Sequence, residues 1–120
     1  MNERTGSSPD GGLHIELAKA LLARPSPDAL AAEMARRGSV DVEFYSPHLI
    51  DLQQPHERDE LYVVMRGNGV LSVGPVEHRF VTGDVLFVPA KAEHRFTTFS
   101  ADFATWVIFY GPAGGERTIS

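Results

Sequence analysis

The chain has 120 residues, a length that predicts a single domain with one hydrophobic core. Hydrophobic residues make up 42% and charged residues 22%, which is typical of a folded globular protein. Eleven basic and sixteen acidic residues give a net charge of −5, which disfavours nucleic acids and membrane surfaces as partners. The absence of cysteine excludes disulfides, thiolate catalysis and cysteine-ligated metals. No apolar run approaches the roughly 20 residues of a membrane span, and we expect a cytoplasmic protein.

The N-terminal third predicts a loose tail followed by two short helical segments. Residues 1–12 are polar and glycine-rich, and we expect them to be disordered. Residues 13–23 have apolar side chains at mixed helical spacing, after which two prolines interrupt the chain. Ser26 is a candidate N-cap for a second helix that would end near Gly38. Residues 13–37 are therefore predicted to be helical and to pack outside the main body.

From residue 38 onward the chain changes to the period of two that is typical of half-buried strands. Residues 40–45 alternate in this way, and six further short strand-like runs follow, separated by turns rich in glycine, proline and asparagine. These runs lie at 60–65, 69–73, 78–81, 85–88, 95–99 and 105–110. The pattern predicts an all-β sandwich or small barrel over residues 38–112, with 113–120 as a C-terminal tail.

The first of two loop-and-strand clusters contains a possible set of metal ligands. Gln54 and His56 precede a predicted strand, Glu60 begins it and Gly67 closes it. If the strand extends back that far, strand alternation would place five residues on one face: His56, Arg58, Glu60, Tyr62 and Val64. A carboxylate inside an apolar β domain is costly unless it is paired or bound to a metal, which favours a ligand role for Glu60.

The second cluster begins at Gly83, with Pro89 six residues later and His94 five residues beyond that. In order and spacing, the two clusters resemble the two motifs of the cupin superfamily, over roughly residues 40–110. Gln54 stands where that family has the first histidine of its first motif. The resemblance implies an all-β jelly-roll barrel, here with short helical segments at the N-terminus, and it implies a homodimer.

His56, Glu60 and His94 are the candidate metal ligands. Two imidazoles and one carboxylate suit non-haem iron and leave positions for substrate or water. The same donors suit manganese, zinc, nickel or cobalt, so the sequence does not name the divalent metal. For Gln54 the alternatives are a fourth ligand through its side-chain oxygen, a loop-capping amide, and an open coordination position.

Tyr62 and Arg58 are the candidates for catalytic or substrate-orienting groups. One hypothesis for Arg58 is a clamp on a substrate carboxylate or phosphate at the barrel mouth, and the alternative is an exposed cation paired with Glu57 or Asp59. Tyr62 is either a hydroxyl donor in a pocket or a core residue. Asp59 alternates outward from Glu60 and is expected to be solvated.

Three functions are compatible with these residues. The first is a metal-binding protein that acts on or binds a small polar or anionic molecule inside the barrel, with the metal as Lewis acid or oxygen-activating centre. The alternatives are a non-catalytic module that binds a sugar or an acid, and a structural cupin with an empty metal site. No nucleophile elbow and no basic patch are present, so the sequence favours neither a serine hydrolase nor a nucleic-acid-binding protein.

Overall fold

The computed structural model describes residues 11–23, 31–47 and 55–117 of the chain. These residues form one helix and eight strands: α1 (Leu17–Leu22), β1 (Ala32–Arg37), β2 (Val40–Tyr45), β3 (Asp59–Arg66), β4 (Asn68–Val73), β5 (Val76–Val81), β6 (Val85–Val88), β7 (His94–Phe99) and β8 (Ala104–Tyr110). The prediction of a mostly β protein is confirmed. All seven predicted strands are present, and their ends lie within two residues of the predicted ones.

The strands form two antiparallel sheets that pack face to face. The larger sheet has the strand order β1-β2-β8-β3-β6, and the smaller has the order β5-β4-β7. Within the described residues, no strand of one sheet pairs with a strand of the other. The predicted closed barrel is therefore wrong, and the fold is an open sandwich. The short edge strand β6 pairs with β3 alone, so it does not join the larger sheet to the smaller one.

An aromatic cluster fills the space between the sheets. The ring of Phe96, on β7, lies 4.9 Å from that of Tyr62, 5.6 Å from that of Phe80 and 4.7 Å from that of Phe103, measured between centroids. Tilted and edge-to-face pairs at such distances are favourable beyond the area that they bury. Because Phe96 and Tyr62 each lie two residues after a candidate metal ligand, this packing also fixes the starts of β7 and β3 relative to each other.

The N-terminal segment follows the helical prediction only in part. The helix α1 packs through Leu17 on the outer face of the larger sheet, against a cluster that includes Phe44. The predicted second helix is wrong for residues 32–37, which form β1 and pair with β2 through a turn at Gly38. Hydrogen bonding to the edge of a sheet outweighs the weak helical preference of this segment. The proposed cap at Ser26 lies outside the described residues.

α1 has only six residues, and the described part of the chain contains no helix with the length and hydrophobicity that a membrane span requires.

Gly69 lies where β4 passes close to the backbone of β7. A Cβ at this position would overlap the carbonyl oxygen of Thr98 and would lie 2.9 Å from Cα of Phe99. We expect Gly69→Ala to lower the free energy of unfolding by about 1–3 kcal/mol or more, because neighbouring backbone yields less readily than a side chain. Urea unfolding of this variant beside Gly11→Ala, where a Cβ would meet nothing within 4 Å, measures the effect. Equal losses in the two variants would contradict the close approach.

Candidate metal centre

Three predicted ligands meet at one end of the sandwich. Glu60 is the second residue of β3, His94 is the first residue of β7, and His56 lies in the segment that leads into β3. The Oε1 atom of Glu60 is 3.5 Å from Nε2 of His56 and 3.4 Å from Nε2 of His94. One donor atom from each residue lies within 4.8 Å of the other two. The structure thus brings together three of the four possible metal ligands named from the sequence, while the fourth, Gln54, lies outside the described residues.

The environment of His94 fits a cation at this point. Its side chain and that of Glu60 are both 0% exposed. Nδ1 of His94 lies 3.0 Å from the carbonyl oxygen of Ala92 and donates to it, which leaves Nε2 as the nitrogen with the free lone pair. Within the described residues, Nε2 has no hydrogen-bond partner. A buried lone pair directed at a carboxylate is costly unless a cation lies between them, so the donor set suits a metal.

His56 forms the solvent side of the group, with 27% of its side chain exposed. Burial lowers the pKa of His56 to about 4, and the nearby His94 and Arg58 act in the same direction. The imidazole is therefore neutral at pH 7, the state in which it can bind a metal. Its ring packs edge-on against Phe109 with centroids 4.6 Å apart. Its carbonyl accepts a 2.6 Å hydrogen bond from the backbone of Lys91, which ties the loop after β6 to this segment.

Asp59 is buried, so the expectation that it is solvated is wrong. Its Oδ1 accepts a 2.9 Å hydrogen bond from the backbone N–H of Ala90, and its Oδ2 accepts one of 2.9 Å from that of Glu116. The described C-terminal residues 111–117 are consequently held against the start of β3. Sequence reasoning missed this role because the donors are 31 and 57 residues away. One carboxylate joins three segments around the metal ligands.

Tyr62 and Arg58, the two catalytic candidates, lie in different environments. Tyr62 is fully buried beside Phe96, which favours the core alternative. Arg58 pairs with neither Glu57 nor Asp59 in the described contacts. Its guanidinium instead bonds to the carboxylate of Asp41 and to the carbonyl of Ser39, and it lies 5.9 Å from the centroid of the Phe109 ring. Two of its terminal nitrogens are thereby occupied within the protein.

A cavity of about 240 Å³ opens beside His56. Its lining residues are Asp41, Glu43, His56, Glu57, Arg58 and Phe109. Sequence analysis missed the part played by Asp41 and Glu43, which alternate as the polar side of β2. The strand register relates these residues to the metal group. Asp41 pairs with Phe109, and Phe109 pairs with Glu60, so one row of residues crosses the sheet from the cavity to the metal group.

The family model of the cupin domain matches residues 43–110, which is more than half of the chain. This chain belongs to the cupin family. It is 31% identical over 91 residues to the uncharacterized protein SCO3923 of Streptomyces coelicolor, an alignment that covers 74% of this chain and 87% of the relative. It is also 33% identical over 66 residues to an acireductone dioxygenase of Schizosaccharomyces pombe. That alignment covers 51% of this cupin but 34% of the relative, about a third of its length.

Solved structures support the same fold. The protein BH2720 from Bacillus halodurans superimposes with a TM-score of 0.71 and 16% identity, covering 90% of this chain and 86% of that one. A cupin superfamily protein, DSY2733, from Desulfitobacterium hafniense gives a TM-score of 0.56 and 21% identity, with 76% and 85% covered. At these identities the similarity establishes the fold of this cupin alone.

We expect the metal-free protein to lose stability as the pH falls from about 6.5 towards 4. In this range the unfolded chain protonates His56 and the folded protein does not, so protons favour the unfolded state. Relative to His56→Gln, the wild type should lose about 2 kcal/mol of unfolding free energy between pH 7.5 and pH 5. Urea unfolding in the presence of EDTA measures both proteins. A difference that is the same at both pH values would show that His56 titrates normally.

Proposed function

We propose that this cupin binds one divalent transition metal through His56, Glu60 and His94 and uses it on a small polar molecule. The observation that supports this most directly is the buried Nε2 of His94, which faces the Glu60 carboxylate with no hydrogen-bond partner among the described residues. Donor separations of 3.4 and 3.5 Å suit a shared ion, because metal–nitrogen and metal–oxygen bonds are about 2.0–2.2 Å long. Gln54, two residues before His56, is proposed as a further ligand.

The metal would supply Lewis-acid or oxygen-activating chemistry. Two imidazoles and a carboxylate suit iron, manganese, zinc, nickel or cobalt. The partial similarity to an acireductone dioxygenase supports an oxygen-activating role. This chain's residues would hold the ion at the inner end of the cavity, where His56 forms part of both the cavity wall and the donor set.

A second candidate function is a non-catalytic module in which the metal anchors a bound sugar or acid. The positions of the two predicted catalytic residues favour it. Tyr62 is enclosed in the core, and the guanidinium of Arg58 is engaged by Asp41 and Ser39. An enzyme therefore needs an acid–base group other than these two.

We expect the purified protein to contain about one divalent metal per chain, and His56→Ala and His94→Ala each to lose it. Both variants should stay folded, because the aromatic cluster between the sheets provides a core without the metal. Elemental analysis and circular dichroism measure occupancy and folding, with His78→Ala as the matched control because His78 is exposed on β5. Full occupancy in both ligand variants would contradict the assignment.

We also propose a homodimer formed through the outer face of the larger sheet. Its edge strand β6 leaves Val85 and Phe87 61% and 48% exposed, and Val40 on β2 is 39% exposed. Large apolar side chains that are exposed on the face of a sheet are favourable contacts for a second copy of the chain. Light scattering after size-exclusion chromatography should give twice the chain mass for the wild type and a monomer for Phe87→Glu. A monomeric wild type at micromolar concentration would contradict this proposal.

A further inference from the structure

A carboxylate that the metal group does not use faces the cavity beside His56. We propose that Glu43 is the proton-transfer residue of this site, and that the cavity takes a small hydroxylated molecule whose hydroxyl proton passes to Glu43. This inference rests on the proposed metal centre, because the cavity reaches that centre through His56.

The register of the larger sheet places Glu43 on the same face as the metal ligands. Glu43 pairs with Val107 on β8, and Val107 pairs with Tyr62 on β3. Two strand spacings of 4.7–4.9 Å therefore separate Glu43 from Tyr62, about 10 Å in all. Glu60 is the next residue along β3 on that face. A molecule of a few heavy atoms can thus lie between the metal group and the Glu43 carboxylate.

The neighbouring arginines are bonded to other carboxylates. Arg36 lies 2.8 Å from Glu33 and 2.9 Å from Asp41, and Arg58 bonds to the second oxygen of Asp41. Among the described residues, no ion pair or hydrogen bond is formed by the Glu43 side chain. Glu43 is therefore available to a ligand in the cavity, whereas Asp41 is held in place by two guanidinium groups.

The environment of Glu43 suits proton transfer near pH 7. The charged and titratable groups around it, from β1, β2 and the segment before β3, are Glu33, Arg36, Asp41, His56, Glu57 and Arg58, while β8 presents apolar Val107 and Phe109. Burial raises the pKa of Glu43 to about 7, and the charges of Asp41 and Glu33 add to the shift, against the opposing effect of the two arginines. A group with such a pKa is populated in both protonation states at neutral pH, as efficient acid–base catalysis requires.

The charges of the side chains that line the cavity favour the binding of a hydroxylated molecule over that of an anion. Among the described residues that line it, three carry carboxylates, Asp41, Glu43 and Glu57, and one carries a guanidinium, Arg58, which is bonded to Asp41. A substrate carboxylate would meet like charges at this wall, whereas a hydroxyl can donate to Glu43. This restricts the expected ligand from a polar or anionic molecule to an uncharged, hydroxyl-bearing one.

Titration calorimetry of catechol into the zinc-loaded protein tests the assignment. At pH 8, in two buffers of different ionisation enthalpy, the heats give the number of protons released per catechol bound. Ionised Glu43 should capture one proton, so Glu43→Gln should release about one proton more than the wild type. The variant should also bind catechol about tenfold more weakly, because a glutamine amide cannot take up the hydroxyl proton. Glu43→Asp should recover part of the proton uptake, and Glu77→Gln, exposed on β5, should match the wild type.

Zinc content measured on the same samples separates the two possible failures. A wild type that does not retain zinc would overturn the proposed metal centre and this inference with it. Zinc-loaded wild type that does not bind catechol, or that releases as many protons as Glu43→Gln, would overturn the role of Glu43 alone. Because glutamine is isosteric and removes a half-buried charge, Glu43→Gln should fold, and its melting curve verifies this.

Discussion

The buried carboxylate of Glu60 is the constraint around which the site is built. A fully buried ionisable group is costly unless opposite charge or protons compensate for it. The carboxylate cannot move out of the core by a register slip, because β3 pairs on both sides, with Val88 of β6 and Phe109 of β8 opposite Glu60. A slip of one residue in the pairing of β3 would also turn Tyr62 and Val64 away from the core between the two sheets. The hydrophobic core therefore fixes the carboxylate, and the polar groups around it must adapt.

Hydrogen bonds from three different parts of the chain hold the polar groups in place around Glu60. The hydrogen bond from His94 to Ala92 sets the tautomer, so that a nitrogen lone pair faces Glu60. The hydrogen bond from Lys91 to the carbonyl of His56 joins the loop after β6 to the segment before β3. Asp59 then binds the loop after β6 and the C-terminal segment together through its two oxygens. Asp59 and Glu60 are adjacent, and strand alternation gives one carboxylate a structural role and the other a place among the metal donors.

Much of this architecture follows from local sequence patterns. Strands such as β2 and β6 are predicted at their observed bounds, because alternation and turn residues are local signals. The grouping of His56, Glu60 and His94 is what the resemblance to the two cupin motifs implies, and the structure brings the three residues together. The strand β1 could not be predicted in this way, because its residues favour a helix and only pairing with β2 overrides that preference. The open sandwich is likewise a property of pairing between distant strands.

The cavity beside His56 depends on contacts that no local pattern reveals, such as the pairing of Arg58 with an aspartate 17 residues away. One of its lining residues, Glu43, has a carboxyl group whose ionisation destabilises the folded state. Because its pKa is raised above the ordinary 4.5, the stability associated with its protonation is present below that value and is lost as the pH rises through about 7. A glutamine at this position would fit the same space without that loss. A half-buried acid that weakens the folded state at neutral pH, beside a group of metal donors, is better accounted for by chemistry in the cavity than by the requirements of the fold.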